Sequence, residues 1–178
     1  MTDTQSRTIY LAGGCFWGVE ELFRRIPGVI ATCPGYANGT GEQDATYRRV
    51  CEGNTGFRET VRVEYGPQAI GLDKLLWAYF SVIDPSTPNQ QGHDVGAQYQ
   101  AGIYWCADDE GTREQVLSLA GAERARVEAA GRAFVVELKP LENFFDAEEY
   151  HQKYLVKNPN GYCHIPFAQM AEVLQQLG

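Results

Sequence analysis

Position 15 is a cysteine that follows two glycines and precedes two large aromatics and a third glycine, in the run Gly13-Gly14-Cys15-Phe16-Trp17-Gly18. A thiol becomes a strong nucleophile once ionised, and a free cysteine ionises near pH 8.5, an ordinary value of about 8.5. The Thr8–Leu11 run reads as a short strand and Cys15–Ile26 as an amphipathic helix. Cys15 then falls in the first helical turn, where unpaired N–H groups and the positive end of the helix dipole favour an anion. That placement predicts a thiol shifted toward neutrality. The two glycines before it allow a tight turn and close backbone approach.

Cys15, Phe16, Val19, Leu22, Phe23 and Ile26 share one apolar arc of this helix. Trp17 falls on the opposite arc, among Glu20, Glu21, Arg24 and Arg25. A tryptophan there suits a wall for a small apolar substrate group beside a nucleophile. The competing reading is a buried Cys15 with Trp17 packed under a loop, since free cysteines are commonly core residues. Phe16 lies on the core arc and fits either reading.

The elements that must position these residues follow from periodicity and turn residues. After a Pro27-Gly28 turn comes a strand at Val29–Tyr36, then a Gly-rich loop over Ala37–Thr46. Tyr47–Glu52 is a short segment leading to a Gly53–Gly56 turn, and Thr60–Tyr65 alternates as a strand. Leu72, Leu75, Leu76, Tyr79, Phe80 and Ile83 mark a helix, and Asp84–Gln98 a long polar loop. Loops of that length are often functional. Ala101–Cys106 reads as a strand, Asp109–Gly131 as mainly helix, Ala133–Leu138 as a strand and Asp146–Val156 as a helix. Asn158–Gly161 is a turn cluster, and Phe167, Met170, Leu174 and Leu177 mark a last helix.

The early order β-α-β-β-α-β predicts an α+β fold with a ferredoxin-like split βαβ core, a mostly antiparallel sheet, and added helices, a strand and a long C-terminal segment. The 178 residues suit one domain, with its core at about 8–138 and the C-terminal segment at 139–178. The net charge of −8 and the lack of a basic run argue against nucleic acid as a partner. No apolar run reaches the roughly 18 residues of a membrane helix. The N-terminal run Met1–Arg7 lacks the basic start and apolar stretch of a signal peptide, so a cytoplasmic location is the expectation, and a monomer is the default state. Five scattered cysteines do not suggest a secreted disulfide framework, and no Cys-x-x-Cys or His-Glu-x-x-His supports a zinc site.

Several runs together carry a resemblance. They are Gly14-Cys15-Phe16-Trp17-Gly18, Thr46-Tyr47-Arg48-Arg49-Val50-Cys51, Gly53-Asn54-Thr55-Gly56, Gly92-His93-Asp94-Val95-Gly96-Ala97-Gln98-Tyr99, Tyr150-His151-Gln152-Lys153-Tyr154 and Lys157-Asn158-Pro159-Asn160-Gly161-Tyr162-Cys163. In this order, over nearly the whole chain, they resemble the peptide methionine sulfoxide reductases of type A. The resemblance implies a thiol-dependent oxidoreductase acting on the S epimer of methionine sulfoxide, free or in oxidised proteins. It makes Cys15 the nucleophile and Glu59 the acid that protonates the departing oxygen. Tyr47 and Tyr99 match the hydroxyls that bind that oxygen, and Asp94 a second acidic residue. Phe16 and Trp17 match the walls around the substrate methyl group. Cys163 matches a resolving cysteine that forms a disulfide with Cys15, recycled by thioredoxin as reductant. No metal or tightly bound organic cofactor is implied.

Two departures stand out. His93 occupies a place where asparagine is expected, and the 15 residues after Cys163 hold no further cysteine. Exchange with thioredoxin should therefore start from the Cys15–Cys163 pair itself. Without the resemblance, Glu59 and Asp94 read as surface or turn carboxylates, and Tyr47 and Tyr99 as packing residues. Cys33 and Cys106 read as small core residues in strands. Cys51 could be a reserve resolving thiol or structural. His151 reads as packing or capping its helix. Cys163 and His164 are neighbours, a spacing poorly suited to a nucleophile–base pair. A thiol peroxidase, or a cysteine hydrolase pairing Cys15 with His93, His151 or His164, are the rival enzyme classes.

Overall fold

The computed structural model describes residues 5–178; residues 1–4, part of the N-terminal run read for a signal sequence, lie outside it. The central strand is β1 (Arg7–Ala12), followed by α1 (Phe16–Arg24) and β2 (Val29–Ala37). A short helix α2 (Tyr47–Cys51) precedes β3 (Arg58–Tyr65), and α3 (Leu72–Val82) follows. The long polar loop folds a two-stranded hairpin, β4 (Gln90–Gln91) with β5 (Asp94–Val95), and a 3-10 turn over Ala97–Tyr99. The chain continues through β6 (Gly102–Trp105), α4 (Glu110–Ala129), β7 (Glu137–Pro140), β8 (Phe144–Asp146), α5 (Tyr154–Lys157) and α6 (Phe167–Leu177).

The main sheet has the order β7-β6-β1-β3-β2-β8. Its inner four strands, β6-β1-β3-β2, pair antiparallel throughout, with α1 and α3 as the crossovers. This is the expected split βαβ core. Only β7 lies parallel to its neighbour, β6. Register explains the core: Ile9 stands opposite Val63, and Leu11 opposite both Val61 and Ile103. These residues join one cluster with Val19, Leu22 and Phe23 of α1 and Leu75, Leu76 and Tyr79 of α3. Alternate residues Tyr10, Ala12, Ala37 and Tyr104 form a second, smaller cluster, as the period of two in strands requires.

Three boundaries differ from the sequence reading. The strand expected at Ala133–Leu138 begins only at Glu137, because the preceding Val135 N–H is taken by Pro85 O (2.8 Å) and Phe134 packs on Phe80. The helix expected over Asp146–Val156 is broken into the end of β8, a 3-10 turn at Glu149–His151 and the short α5. Lys153 has φ +52, and its N–H donates to Glu20 Oε1 (2.6 Å) instead of continuing a helix. Tertiary partners here override local helical preference. The third difference is the hairpin within the loop. No described helix is long and apolar enough to cross a membrane.

One buried bond ties the core to the start of the site. The Tyr79 hydroxyl, fully buried on α3, donates to Ala12 O (2.7 Å) at the end of β1. Tyr79→Phe should cost about 1–2 kcal/mol, the usual penalty for leaving a buried carbonyl short of a partner. A urea titration checks this as a lower midpoint at unchanged slope.

Candidate active site

The site starts where β1 ends. Gly14 turns the chain at φ +87, a conformation that suits glycine, and a Cβ there would meet Gln91 Cβ at 2.8 Å. Cys15 becomes the N-cap of α1, one residue before the first turn in which it was expected. Its residue is only 7% exposed. Burial, reinforced by the charge of Glu59, raises the thiol well above its ordinary value, and the Trp17 backbone N–H opposes this only in part. The expected shift toward neutrality is therefore reversed. Removing a thiolate from water costs more than the helix start returns.

Glu59 lies on β3 opposite Tyr36 of β2 and is 1% exposed. The Phe16 N–H, next to Cys15, donates to its Oε1 (3.2 Å). Its Oε2 is buried with no partner among the described residues. Burial pushes this carboxyl up to about 8, with the charge of Asp94 adding to the effect and the Phe16 N–H opposing it. Glu59 thus keeps its proton at neutral pH.

Tyr47 opens α2 and Tyr99 closes the 3-10 turn after β5; both are half-buried. Burial raises both phenols, next assisted by Cys51 and Glu59 at Tyr47 and by Glu59 and Cys15 at Tyr99. Both stay protonated and can donate a hydrogen bond. Asp94, on β5, accepts from the Tyr162 hydroxyl (3.0 Å). Its charge acts on Cys15, Glu59 and Tyr99. Cys163 is half-buried in the segment before α6 and lies over Gly18 of α1: a Cβ at Gly18 would be 3.0 Å from its Sγ. Residues from α1, α2, β3, the hairpin loop and the C-terminal segment therefore converge around one thiol.

The two aromatics divide. Phe16 is 1% exposed and packs against Tyr36 and His151, on the core side. Trp17 is half-buried, stacked on Tyr154 with ring centroids 3.7 Å apart and planes within 10°. Its indole N–H donates to His151 Nδ1 (2.9 Å). The arc read as the wet face of α1 is thus partly covered by the C-terminal segment. Glu20 on it is buried, accepting from the Thr32 hydroxyl (2.8 Å) as well as from Lys153. A helical wheel sees only its own helix, so this cover was not visible in the pattern.

Two further residues hold the site: Glu148, which the sequence did not single out, and His151. Glu148 joins two site elements, accepting from the Tyr36 hydroxyl (2.7 Å) and from the Tyr47 N–H (2.9 Å). Burial works against its ionised form, but these donors hold the carboxyl below the usual range. His151, fully buried, packs as expected but also fixes Trp17. None of these has a spacing that signals chemistry; the Tyr150–Tyr154 run alone marked their neighbourhood. Cys51 is exposed, one turn beyond Tyr47, and Cys33 and Cys106 are half-buried rather than core. Among the described residues, no group of three or more His, Cys, Asp or Glu could hold a metal ion. A cavity of about 530 Å³ between α3 and α4, lined in part by Trp77, Phe80 and Leu119, contains none of the site residues.

Comparison with known proteins matches this arrangement to a family. Residues 7–177 fit the family model of peptide methionine sulfoxide reductase. The chain is 51% identical over 160 residues to peptide methionine sulfoxide reductase MsrA of Clostridium acetobutylicum, covering 90% of this chain and 95% of that protein. It is similar to the solved structure of methionine sulfoxide reductase A of Corynebacterium diphtheriae, with TM-score 0.84, 33% identity, and coverage of 93% and 85% of the two chains. It is also similar to Mxr1 from Saccharomyces cerevisiae in complex with Trx2, with TM-score 0.58, 25% identity, and coverage of 85% and 86%. The chain therefore belongs to the peptide methionine sulfoxide reductase family, as an oxidoreductase of the MsrA type that reduces methionine sulfoxide.

Proposed function

We propose that the chain reduces the S epimer of methionine sulfoxide, free or in proteins, through Cys15 and Cys163, with thioredoxin as the reductant. The observation that carries this reading is a buried carboxyl, Glu59, that keeps its proton, accepts from the N–H of the residue next to Cys15 and has an oxygen without a partner among the described residues. A sulfoxide oxygen needs such a donor before it can leave its sulfur. The Tyr47 and Tyr99 hydroxyls bind that oxygen, and Trp17, with Phe16 behind the thiol, holds the methyl group. Asp94, held by Tyr162, shapes the hydrogen bonding around Glu59.

In the first step Cys15 Sγ attacks the sulfoxide sulfur while Glu59 gives its proton to the oxygen. The carboxylate so formed takes the thiol proton. The substrate S–O bond breaks, the hydroxyl passes to Cys15, and methionine leaves with Cys15 as sulfenic acid. Cys163 then condenses with it, forming the Cys15–Cys163 disulfide and water. A thioredoxin dithiol restores both thiols by exchange. The structure of the related Mxr1 in complex with Trx2 supports that partner. Every step uses groups of the two proteins and the substrate, so no metal or bound organic cofactor enters the scheme.

Separated R and S epimers, incubated with the enzyme and dithiothreitol, test the reading: only the S epimer should disappear. Cys163→Ser should release one methionine per enzyme at the parent rate and then, with thioredoxin, slow by roughly 10-fold or more. Quantifying methionine against time in a quenched assay checks this. Sustained parent-rate turnover by that variant with thioredoxin would remove Cys163 from the scheme.

A further inference from the structure

Cys163 faces a difficulty in the resolving step. Its thiol donates to Ile165 O (3.3 Å), and burial raises it above its ordinary value. Little of it is therefore ionised at neutral pH, and the thiolate is the form that attacks. Glu21, whose charge reaches Cys163, is a poor proton acceptor because both its oxygens are held by Arg24 (2.6 and 2.7 Å).

His164 supplies what is missing. Its Nε2 lies 2.9 Å from Gly13 O. A carbonyl only accepts, so Nε2 carries the proton and Nδ1 keeps a free lone pair. That Nδ1 is buried and has no partner among the described residues, although buried acceptors are nearly always paired. A Cβ at Gly18 would lie 3.0 Å from Cys163 Sγ and 3.2 Å from His164 Nδ1. The sulfur and the lone pair thus border one small space, which the glycine leaves open one helical turn from Cys15. Adjacent residues seldom face each other, but here both side chains fold over Gly18.

We propose that His164 is the base of the resolving step. The proposal rests on Cys163 as the resolving thiol. Nδ1 takes the Cys163 thiol proton as Sγ attacks the sulfenic sulfur of Cys15. The S–S bond forms and the Cys15 S–O bond breaks; Cys163 is oxidised and the Cys15 sulfur reduced. The departing hydroxide takes the proton from the imidazolium and leaves as water. Asp94 of β5 is the charged group that acts on this base, and Cys15 and Glu21 at α1, with Tyr162 on its own segment, lie about the adjacent Cys163. Burial lowers the imidazole, and the charge of Asp94 opposes that only in part, so Nδ1 is unprotonated at neutral pH.

His164→Gln tests this, because an amide N–H can still reach Gly13 O but no base remains. First-turnover methionine release should match the parent. Formation of the Cys15–Cys163 disulfide, followed by mass spectrometry of quenched samples, should fall roughly 100-fold at pH 7. The defect should shrink about tenfold per pH unit as Cys163 ionises unaided. The unmodified enzyme gives a second reading that needs no variant: its resolving rate should fall in acid, as the imidazole takes up a proton. His164→Gln resolving at the parent rate, or losing the first methionine, overturns the proposal, as does a parent resolving rate with no acid limb. If instead Cys163→Ser turns over fully with thioredoxin, the reading of Cys163 itself falls, and His164 with it. Stalling by Cys163→Ser beside parent-rate resolution by His164→Gln removes the His164 assignment alone.

Discussion

Serine in place of Cys15 should abolish methionine formation, a loss of roughly 10⁴-fold or more, with dithiothreitol and with thioredoxin alike. The hydroxyl fits the same N-cap position, so the fold should hold, and circular dichroism and thermal unfolding should stay close to the parent. The chemistry cannot hold. An alkoxide is not available at neutral pH, and an alcohol cannot take the place of sulfur in the oxidised intermediate. Cys15 itself rests as a thiol, because burial disfavours its ionised form. In the proposed scheme ionisation is coupled to bound substrate, which takes the Glu59 proton and leaves a carboxylate that can accept the thiol's. Alkylation of Cys15 by iodoacetamide in the free enzyme should accordingly be slow at pH 7 and rise steadily beyond pH 9. Rapid, pH-independent labelling would mean that the thiolate is already present. More than about 1% residual activity in Cys15→Ser would move the nucleophile elsewhere.

This reversal shows where a sequence stops being legible. The strand, turn and helix around Cys15 follow from local pattern, and so does the split βαβ core, because alternation in β1 and β3 and periodicity in α1 and α3 are local properties. The electrostatics of Cys15 are not local. They depend on Glu59, 44 positions away in the chain, and on how much water the C-terminal segment excludes. The same holds for Trp17, whose supposedly wet face is stacked on Tyr154, and for Glu20, buried by Lys153. The segment from Asp146 to Val156 was read as a helix because its composition permits one. Its backbone is instead committed to α1 and β2 through Lys153 and Ala147, and the Gln152 side chain adds a bond to β2. Glu59, Tyr47, Tyr99, Asp94 and Cys163 entered through resemblance, since nothing in their spacing brings them together. Glu148 gave no signal, and His151 and His164 gave none of their contacts, because what they do rests on long-range bonds to Tyr36, Tyr47, Trp17 and Gly13.

Glu59→Gln should lower kcat/KM by roughly 10²–10³-fold and remove the alkaline limb of its pH profile. With the carboxyl pushed up to about 8, parent activity should hold through neutral pH and fall about tenfold per unit above pH 8, as the acid is lost. Glutamine retains an acceptor for the Phe16 N–H but has no proton to give, so its residual rate should not bend at that pH. The same titration acts on stability, with a sign that follows from proton counts. Between about pH 4 and pH 8 the folded carboxyl holds a proton that the unfolded chain has released, so stability falls as pH rises, by about 1.4 kcal/mol per pH unit. Below about pH 4 both states are protonated, and above about pH 8 both are ionised, so the slope disappears. Glutamine does not titrate. The melting temperature of Glu59→Gln should therefore rise relative to the parent as pH moves from 5 to 8, while its activity stays low throughout. A melting difference that is constant across this range would show that Glu59 is already ionised in the fold. The acid that makes the oxygen leave would then have to be another group. A difference that grows with pH, beside an activity limb found only in the parent, ties the instability of this buried carboxyl to the proton it donates.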